Sequence, residues 1–276
     1  MGSPASEERY FESGGVPIRF LEEGDGPPVV LIHGFTSSSE SWTEIGVVPR
    51  LSGGFRTIAM DCRGHGRSGK PHDPSAYGMH MVRDLVAGLD ALDIEEAHLV
   101  GYSMGAEIAL RTTVAYPQRV RSLIIGGSGW SEAHESETYR RIGESLRDHG
   151  SIGPAVRWMN AQSPAGPFTP PTGEQIAEFD GFLRSQDVAA LSAVAASMHE
   201  IVNLSRDQVA AIGVAVLGIT GSEDPEQYNL EKLVGVTPRY TLQVIAGKDH
   251  GEAMFDPRFV GTIAEFLERT VTPTRA

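Results

Sequence analysis

The sequence lacks the features that mark secreted and membrane-spanning proteins. Cys62 is the only cysteine among 276 residues, which excludes an intramolecular disulfide and fits a reducing compartment. No apolar run reaches the roughly 18 residues that a membrane-spanning helix needs, and Met1 to Tyr10 contain no apolar signal segment. We therefore expect an unexported, cytoplasmic protein with no membrane partner.

Basic side chains are also scarce. The chain has 23 Lys and Arg residues against 36 Asp and Glu residues, which gives a formal net charge of −13. Phosphate contacts dominate nucleic-acid binding, so this balance argues against a DNA or RNA partner. A hydrophobic share of 40% and a charged share of 21% are ordinary for a globular protein and argue against disorder.

Short apolar runs recur along the chain with strand length. They are rich in Val, Ile and Leu, as in strands buried on both faces of a parallel sheet, and they occur at Val29–Ile32, Phe55–Met60, Ala97–Val100, Val120–Ile125, Val214–Ile219 and Tyr240–Ile245. Ahead of them, Arg9–Glu12 and Val16–Glu22 flank Gly14-Gly15. This arrangement predicts an antiparallel hairpin at the sheet edge.

Segments of helical periodicity separate these runs. Helices are predicted around Met81–Leu92, over Ala106–Ala115 and around Phe259–Leu267. Alternation of strands and helices predicts an α/β domain, in which helices flank a mostly parallel central sheet.

The alternation breaks between Ser131 and Ile212, where strand-like runs are absent. The large apolar residues of this segment are Trp158, Met159, Phe168, Phe179, Phe182 and Leu183, and its prolines are Pro164, Pro167, Pro170 and Pro171. One helical face then follows from Val188, Leu191, Val194, Ala195 and Met198. We predict a core domain of residues 1–130 and 213–276, with residues 131–212 inserted as a helical cap.

The strongest chemical motif is Gly101-Tyr102-Ser103-Met104-Gly105. It follows a predicted strand and precedes a predicted helix, which is the context that a G-x-S-x-G nucleophile turn requires. Such a turn strains the backbone of the nucleophile, and glycines two residues away on either side allow strand and helix to pass closely. Ser103 is therefore the candidate nucleophile, at a helix N-terminus that favours a developing oxyanion.

A serine hydroxyl needs a base, and nine histidines compete for that role. His250 follows the last predicted strand, so a parallel sheet places it at the same carboxyl edge as Ser103. The remaining candidates fit structural roles, because they lie in loops, inside a strand or on the insertion; they include His33, His65, His98 and His199. We predict that His250 is the base.

The acid that orients the base should lie on another loop of that edge. Asp224 follows the strand Val214–Ile219 and precedes His250 in the chain, and Glu223 is its local competitor. We predict that Asp224 fixes the tautomer of His250 and stabilises its imidazolium form.

The chain order Ser103, Asp224, His250 resembles that of the α/β-hydrolase superfamily, in its capped, esterase-like branch. His33-Gly34-Phe35 resembles the oxyanion loop of that family, and Asp61 to Ser68 resembles its architectural D-x-R-G-x-G-x-S loop. The resemblance implies an α/β-hydrolase fold with an inserted cap, and an oxyanion hole formed by the backbone N–H groups of Phe35 and Met104. It stops short of haloalkane dehalogenases and epoxide hydrolases, which have aspartate at the nucleophile position.

Two other patterns carry less weight. Gly64 to Gly69 spells G-x-G-x-x-G, but Pro71 and Pro74 prevent the immediate helix that dinucleotide binding requires. Neither His134 nor His199 begins an H-E-x-x-H pair, and no Cys/His cluster occurs. We therefore expect neither a cofactor nor a metal.

These features predict a serine hydrolase that cleaves small, largely apolar carboxylic esters through an acyl-enzyme. Lactone opening, hydrolytic C–C cleavage of the meta-cleavage product type and perhydrolysis use the same machinery and stay open. The alternative from another class is a small-molecule receptor that keeps the fold without turnover. The expected partner is a small-molecule ester, bound by a monomer or a homodimer.

Overall fold

The computed structural model of the chain describes residues 8–131, 133–162 and 171–271. Its strands are β1 (Glu8–Ser13), β2 (Val16–Glu23), β3 (Pro28–Ile32), β4 (Arg56–Met60), β5 (Ala97–Tyr102), β6 (Val120–Gly126), β7 (Ala215–Gly221) and β8 (Tyr240–Ile245). They form one sheet in the order β1-β2-β4-β3-β5-β6-β7-β8.

The sheet is antiparallel at one edge and parallel elsewhere. β1 pairs with β2 in the predicted hairpin, where Gly14 and Gly15 take φ values of 59° and 79° that a side chain would disfavour. β2 also pairs antiparallel with β4, whereas the pairs from β4 through β3, β5, β6 and β7 to β8 are all parallel. The prediction of a mostly parallel α/β sheet is therefore confirmed.

Helices connect the strands. Those described are α1 (Ser41–Glu44), α2 (Val47–Leu51), α3 (Met79–Ala91), α4 (Met104–Ala115), α5 (Ala133–His149), α6 (Gly153–Gln162), α7 (Gly173–Leu183), α8 (Val188–Ser197), α9 (His199–Val202), α10 (Arg206–Ala210), α11 (Gln227–Glu231), α12 (His250–Phe255) and α13 (Pro257–Val271). Among the described helices, none has both the length and the apolar character to cross a membrane.

Buried side chains pack on both faces of the sheet, because successive residues of a strand point to opposite sides. Val30 lies in the cluster that includes Leu85 of α3 and Ile108 of α4. Its neighbour Val29 lies in the opposite cluster with Phe259 of α13. The molecule therefore has helices on each side of a sheet whose carboxyl edge stays open for loops.

The helices α5 to α10 lie between β6 and β7 in the chain, where the cap is predicted. α5 packs against α8, and the apolar face predicted there is buried at Leu191, Val194 and Met198. No strand occurs in the described residues of this segment. Phe168, Pro164, Pro167 and Pro170 lie outside the described residues. The division into a core and a cap at residues 131 and 212 stays a prediction.

Three elements at the candidate site differ from their predicted bounds: β5 ends later, α4 begins earlier, and a further short helix begins at His250. β5 continues to Tyr102, and α4 begins at Met104 rather than Ala106. His250 opens the short helix α12, whose N-terminus is capped by Asp249 through a 2.8 Å hydrogen bond from the Glu252 N–H. The apolar pattern did not indicate α12, because one short turn has little hydrophobic periodicity.

Candidate active site

Ser103 lies at a strained turn between β5 and α4. Its φ and ψ are 53° and −122°, a backbone conformation that non-glycine residues rarely adopt. A Cβ on Gly101 would lie 2.2 Å from the carbonyl oxygen of Gly105, and a Cβ on Gly105 would lie 2.1 Å from that of Ile32. Glycine is therefore required on both sides of Ser103, because strand and helix pass too closely for any side chain.

The loop after β3 reaches the same turn. A Cβ on Gly34 would lie 3.3 Å from the Cβ of Ser103 and 4.0 Å from its Oγ. Within the described residues, the N–H groups of Phe35 and Met104 donate no hydrogen bond. Met104 is the first residue of α4, so its N–H group has no partner inside the helix and lies at the positive end of the helix dipole. The assignment of these two N–H groups to an oxyanion hole stays a prediction.

Asp224 and His250 form a hydrogen-bonded pair at the ends of β7 and β8. His250 Nδ1 lies 3.1 Å from each carboxylate oxygen of Asp224. Asp224 is buried, whereas the side chain of His250 is 36% exposed. The two loops touch closely, since a Cβ on Gly221 would lie 1.9 Å from the carbonyl oxygen of Lys248. Because Nδ1 carries the proton of this bond, Nε2 is left as the basic nitrogen.

The charge around His250 favours its protonated form. Desolvation lowers the pKa of His250, but the hydrogen bond and charge of Asp224, followed by the charges of Glu226 and Asp249, outweigh it. The net pKa of His250 is therefore raised above its usual value. A raised pKa makes His250 a stronger base towards a serine hydroxyl.

Ser103 and His250 both contact the end of β6 and the turn that follows it. The N–H of Ser103 donates to the carbonyl oxygen of Gly126 at 2.8 Å. The ring of His250 lies against the next residue, because a Cβ on Gly127 would be 3.0 Å from His250 Cε1. Among the described residues, Ser103 Oγ and His250 Nε2 do not form a hydrogen bond. The structure thus brings all three predicted residues to one sheet edge, and directly joins Asp224 to His250.

Tyr102 is a residue of this site that the sequence reasoning missed. Its buried hydroxyl donates to the backbone carbonyl of His250, and the two rings lie 5.4 Å apart between centroids. Desolvation raises the pKa of the Tyr102 phenol well above its usual value, so the hydroxyl stays a donor. Tyr102 therefore links the turn at Ser103 to the start of α12 at His250. The position of Tyr102 inside the G-x-S-x-G motif is the sequence feature that could have indicated its role.

The other candidate histidines have structural partners. His33 is fully buried, and its Nε2 accepts a 3.0 Å hydrogen bond from the Cys62 N–H. Desolvation lowers the pKa of His65 to about 3, so its ring is neutral. In β5, His98 Nδ1 lies 2.7 Å from the hydroxyl of Ser122. None of these rings makes a hydrogen bond to Ser103 within the described residues.

The loop from Asp61 to Ser68 has the geometry of an architectural loop. The carboxylate of Asp61 accepts hydrogen bonds from the N–H groups of Ser39 and Arg67, both at 2.7 Å. Gly66 has φ 51°, and a Cβ there would lie 2.2 Å from Asp61 Oδ2. The first α-helix after this loop, α3, begins only at Met79. The loop therefore lacks the helix N-terminus that a dinucleotide pyrophosphate needs.

In the part of the chain that the structure describes, no three His, Cys, Asp or Glu side chains lie close enough together to hold a metal ion.

Comparison with known proteins finds similar sequences. Residues 27–145 match the family model described as the alpha/beta hydrolase fold. The chain is 36% identical to an epoxide hydrolase of Caballeronia sordidicola over 143 residues, which cover 51% of this chain and 43% of that protein. It is 37% identical to the 2-hydroxy-6-oxo-6-(2'-aminophenyl)hexa-2,4-dienoic acid hydrolase of Metapseudomonas resinovorans over 139 residues, covering 49% of this chain and 47% of that protein. Both matches span less than half of the relative's own length.

The fold comparison covers nearly the whole chain. The solved structure of a thermophilic esterase from Thermogutta terrifontis aligns with 97% of this chain and 100% of its own, with a TM-score of 0.74 and 24% sequence identity. At this identity the likeness shows the fold alone.

The sequence comparison corrects one expectation. The resemblance was expected to stop short of epoxide hydrolases, yet sequence similarity extends to one of them over half of the chain. Overall sequence similarity therefore does not distinguish an epoxide hydrolase from a serine esterase. The residue type at position 103 is the feature that distinguishes them.

Proposed function

We propose that this chain, whose residues 27–145 match the alpha/beta hydrolase fold model, is a serine hydrolase that cleaves small, largely apolar carboxylic esters. The observation that carries the proposal is the strained Ser103 at the sheet edge that also holds the hydrogen-bonded pair of His250 and Asp224. A serine at position 103 favours an ester mechanism over epoxide opening, for which the family resemblance implies aspartate.

The reaction begins with proton transfer from Ser103 to His250. As Ser103 Oγ attacks the ester carbonyl carbon, Nε2 of His250 accepts its proton, and Asp224 stabilises the imidazolium at Nδ1. The protonated His250 then donates to the leaving alkoxide, which departs as the alcohol and leaves the acyl group on Ser103. Water repeats the sequence on the acyl-enzyme, with His250 again as the base, and releases the carboxylic acid.

Stabilisation of the tetrahedral intermediate is assigned to two backbone donors. Supporting this, Gly34 before Phe35 contacts Ser103, Met104 directly follows Ser103, and neither N–H group donates a hydrogen bond within the described residues. Loss of one such donor typically costs about 10²- to 10³-fold in turnover. The N-terminus of α4 adds its dipole at the same point.

The insertion supports an apolar substrate. Trp158, Met159 and Phe179 are partly buried residues of its helices α6 and α7. We infer a preference for short or aromatic acyl esters over long lipids, and a small-molecule ester as the partner of a cytoplasmic monomer or homodimer. Lactone opening and perhydrolysis need the same nucleophile and base, and a panel of such substrates distinguishes them from ester cleavage.

Hydrolytic C–C cleavage is the second candidate. Similarity to the dienoic acid hydrolase of Metapseudomonas resinovorans favours it. A vinylogous diketone and an aryl acetate tested on the same preparation separate the two reactions. A kcat/KM at least tenfold higher for the diketone would replace the ester assignment by the C–C assignment.

The test of the proposed function combines turnover with labelling. Wild type should hydrolyse an aryl acetate with sustained turnover, and a serine-directed phosphonate should stop it at one equivalent per chain. Ser103→Ala should lose about 10⁴- to 10⁶-fold in turnover. Retention of more than about a tenth of wild-type activity by this variant would refute the assignment, and a single burst without turnover would indicate a receptor instead.

A further inference from the structure

Glu107 is a buried acid on the helix that begins behind Ser103. It lies one turn along α4, and its N–H donates to the carbonyl oxygen of Ser103 at 3.3 Å. Only 3% of the residue is exposed, and its neighbours Ala106 and Ile108 are buried apolar residues. No Lys or Arg of the described chain forms an ion pair with it. Glu107 is therefore a carboxyl group in an apolar setting without a cation.

Two hydroxyl groups from other elements reach the Glu107 carboxyl group. Ser128, in the loop after β6, donates its Oγ hydrogen to Oε1 at 3.0 Å. Tyr139, on the first helix of the insertion, donates its hydroxyl hydrogen to Oε2 at 2.7 Å. Both partners are buried. One side chain thus connects the nucleophile helix α4, the turn that faces His250, and helix α5.

The electrostatic setting keeps this carboxyl group neutral. Burial raises the pKa of Glu107 to about 8; the hydrogen bond from Tyr139 opposes the shift, and the charge of Glu226 adds to it. Ser128 and His250 oppose the shift more weakly. The titratable groups that face Glu107 are therefore Tyr139 from α5, Glu226 from the loop after β7, and His250 from α12. At neutral pH the protonated acid donates its own hydrogen to one of the two hydroxyl oxygens and accepts from the other hydroxyl, and it adds no second negative charge beside the pair of Asp224 and His250.

We propose that Glu107 is a positioning residue, whose carboxyl group holds the insertion helix α5 in a fixed place relative to Ser103 and His250. The inference rests on the proposed function, because it concerns the substrate site of that reaction. α5 packs against α8, so the bond between Tyr139 and Glu107 fixes more of the insertion than one helix. Loss of the bond releases the insertion and weakens substrate binding, while the reacting groups keep their geometry.

The first experiment separates hydrogen bonding from volume. Glu107→Gln keeps the shape, one acceptor and a donor, whereas Glu107→Met keeps the length without either. We expect Glu107→Met to raise KM at least tenfold with kcat within about threefold, and Glu107→Gln to recover most of the loss. Tyr139→Phe should raise KM in the same direction by a smaller factor.

The matched control for Tyr139→Phe is Tyr240→Phe. Tyr240 is a tyrosine of β8 whose buried hydroxyl has no hydrogen-bond partner in the described structure. The Tyr240→Phe substitution should leave KM unchanged. If Tyr139→Phe has a wild-type KM, or if the Met and Gln variants of Glu107 lose kcat equally, the positioning role is wrong. The Tyr139 variant preserves the test should Glu107→Met fail to fold.

A second experiment measures stability without substrate, so its result does not depend on whether the proposed function is correct. A carboxyl group with a raised pKa in the folded state stabilises the fold fully below its unfolded pKa, near 4.5, and loses that contribution as pH rises towards 8. The wild-type melting temperature should therefore fall more steeply between pH 5 and pH 8 than that of Glu107→Gln. Parallel curves for the two proteins would show that Glu107 is ionised throughout and would overturn the proposal of a neutral acid.

Discussion

Two loop regions at the carboxyl edge of the sheet each contain a buried aspartate, yet they differ in what surrounds it. Asp61, after β4, accepts hydrogen bonds from the backbone of Ser39 and Arg67 and pairs with buried Arg19 at 3.1 Å. Asp224, after β7, binds the ring of His250, which is partly exposed. A buried carboxylate whose partners are all internal fixes a loop. One whose partner reaches solvent and carries a proton can take part in chemistry.

The pKa of Asp61 reflects its enclosed surroundings. Burial alone raises it, but the N–H groups of Arg67 and Ser39 stabilise the carboxylate more, so the net pKa of Asp61 lies below its usual value. Such an ionised group stabilises the fold above its unfolded pKa and loses that contribution as the pH falls through its folded pKa. The comparison therefore predicts a loss of activity from changes at Asp224 and a loss of stability from changes at Asp61.

Among the changes that test this comparison of the two aspartates, the largest effect is expected from Asp224→Asn. The amide cannot stabilise an imidazolium and favours the wrong tautomer of His250, so kcat should fall about 10⁴-fold, roughly 5 kcal/mol of barrier. Steady-state kinetics on an aryl acetate measure the loss. Glu223→Asn, at the exposed neighbouring residue, is the control and should retain wild-type activity. A loss below tenfold for Asp224→Asn would remove this residue from the proposed triad.

Asp61→Asn should instead act on the fold. The amide NH2 group would replace one carboxylate oxygen and face the N–H donor of either Ser39 or Arg67, and Arg19 would lose its buried ionic partner, so we expect about 3 kcal/mol less stability. Denaturant unfolding measures it, and kcat of the folded fraction should stay within about threefold. Exposed Asp25→Asn is the control, with a change of about 0.5 kcal/mol or less. A stable but inactive Asp61 variant would contradict the comparison.

Ser68→Ala tests the same loop more gently. The Ser68 hydroxyl donates to the backbone carbonyl oxygen of Asp61 at 2.7 Å and accepts from the backbone N–H of Arg19 at 2.8 Å. Removal leaves two buried backbone groups unpaired, which should cost about 2 kcal/mol. Thermal and denaturant unfolding should show the loss, with Ser52→Ala as the control. Unchanged stability would mean that water replaces the hydroxyl.

The smallest expected effect is a shift in the pH profile from Glu226→Gln. The reaction needs neutral His250, so kcat/KM should fall as the pH drops through the pKa of His250, with a wild-type midpoint above 6.5 because that pKa is raised. Removing the charge of Glu226 should lower the midpoint slightly, because this charge raises the pKa of His250 less than Asp224 does. Exposed Glu223→Gln should leave it in place. A midpoint that rises would contradict the charge assignment around His250.

Local signals made the sheet and the nucleophile turn predictable. The motif at Gly101 to Gly105 specifies its own geometry, because Gly101 is required by the close passage of β5 and α4, and Gly105 by that of α4 and the end of β3. Asp224 and His250 could be predicted from chain order, since each follows a strand whose carboxyl end meets the same edge.

Residues whose role depends on distant elements could not be predicted in this way. Glu107 resembles an ordinary acidic residue in the first turn of a helix, where the dipole favours it. Its burial depends on Tyr139, more than thirty residues further along the chain. The bond from Tyr102 to the carbonyl of His250 likewise joins residues far apart in sequence. Neither contact leaves a pattern in a short window.

The most direct test of the central claim locates the site that a serine-directed phosphonate modifies. Peptide mass mapping of the labelled wild type should place one adduct on Ser103, and His250→Ala should slow its formation by at least about a hundredfold. Ser103→Ala should give no adduct. An adduct on another residue, or equal labelling rates in wild type and His250→Ala, would contradict proton transfer from Ser103 to His250.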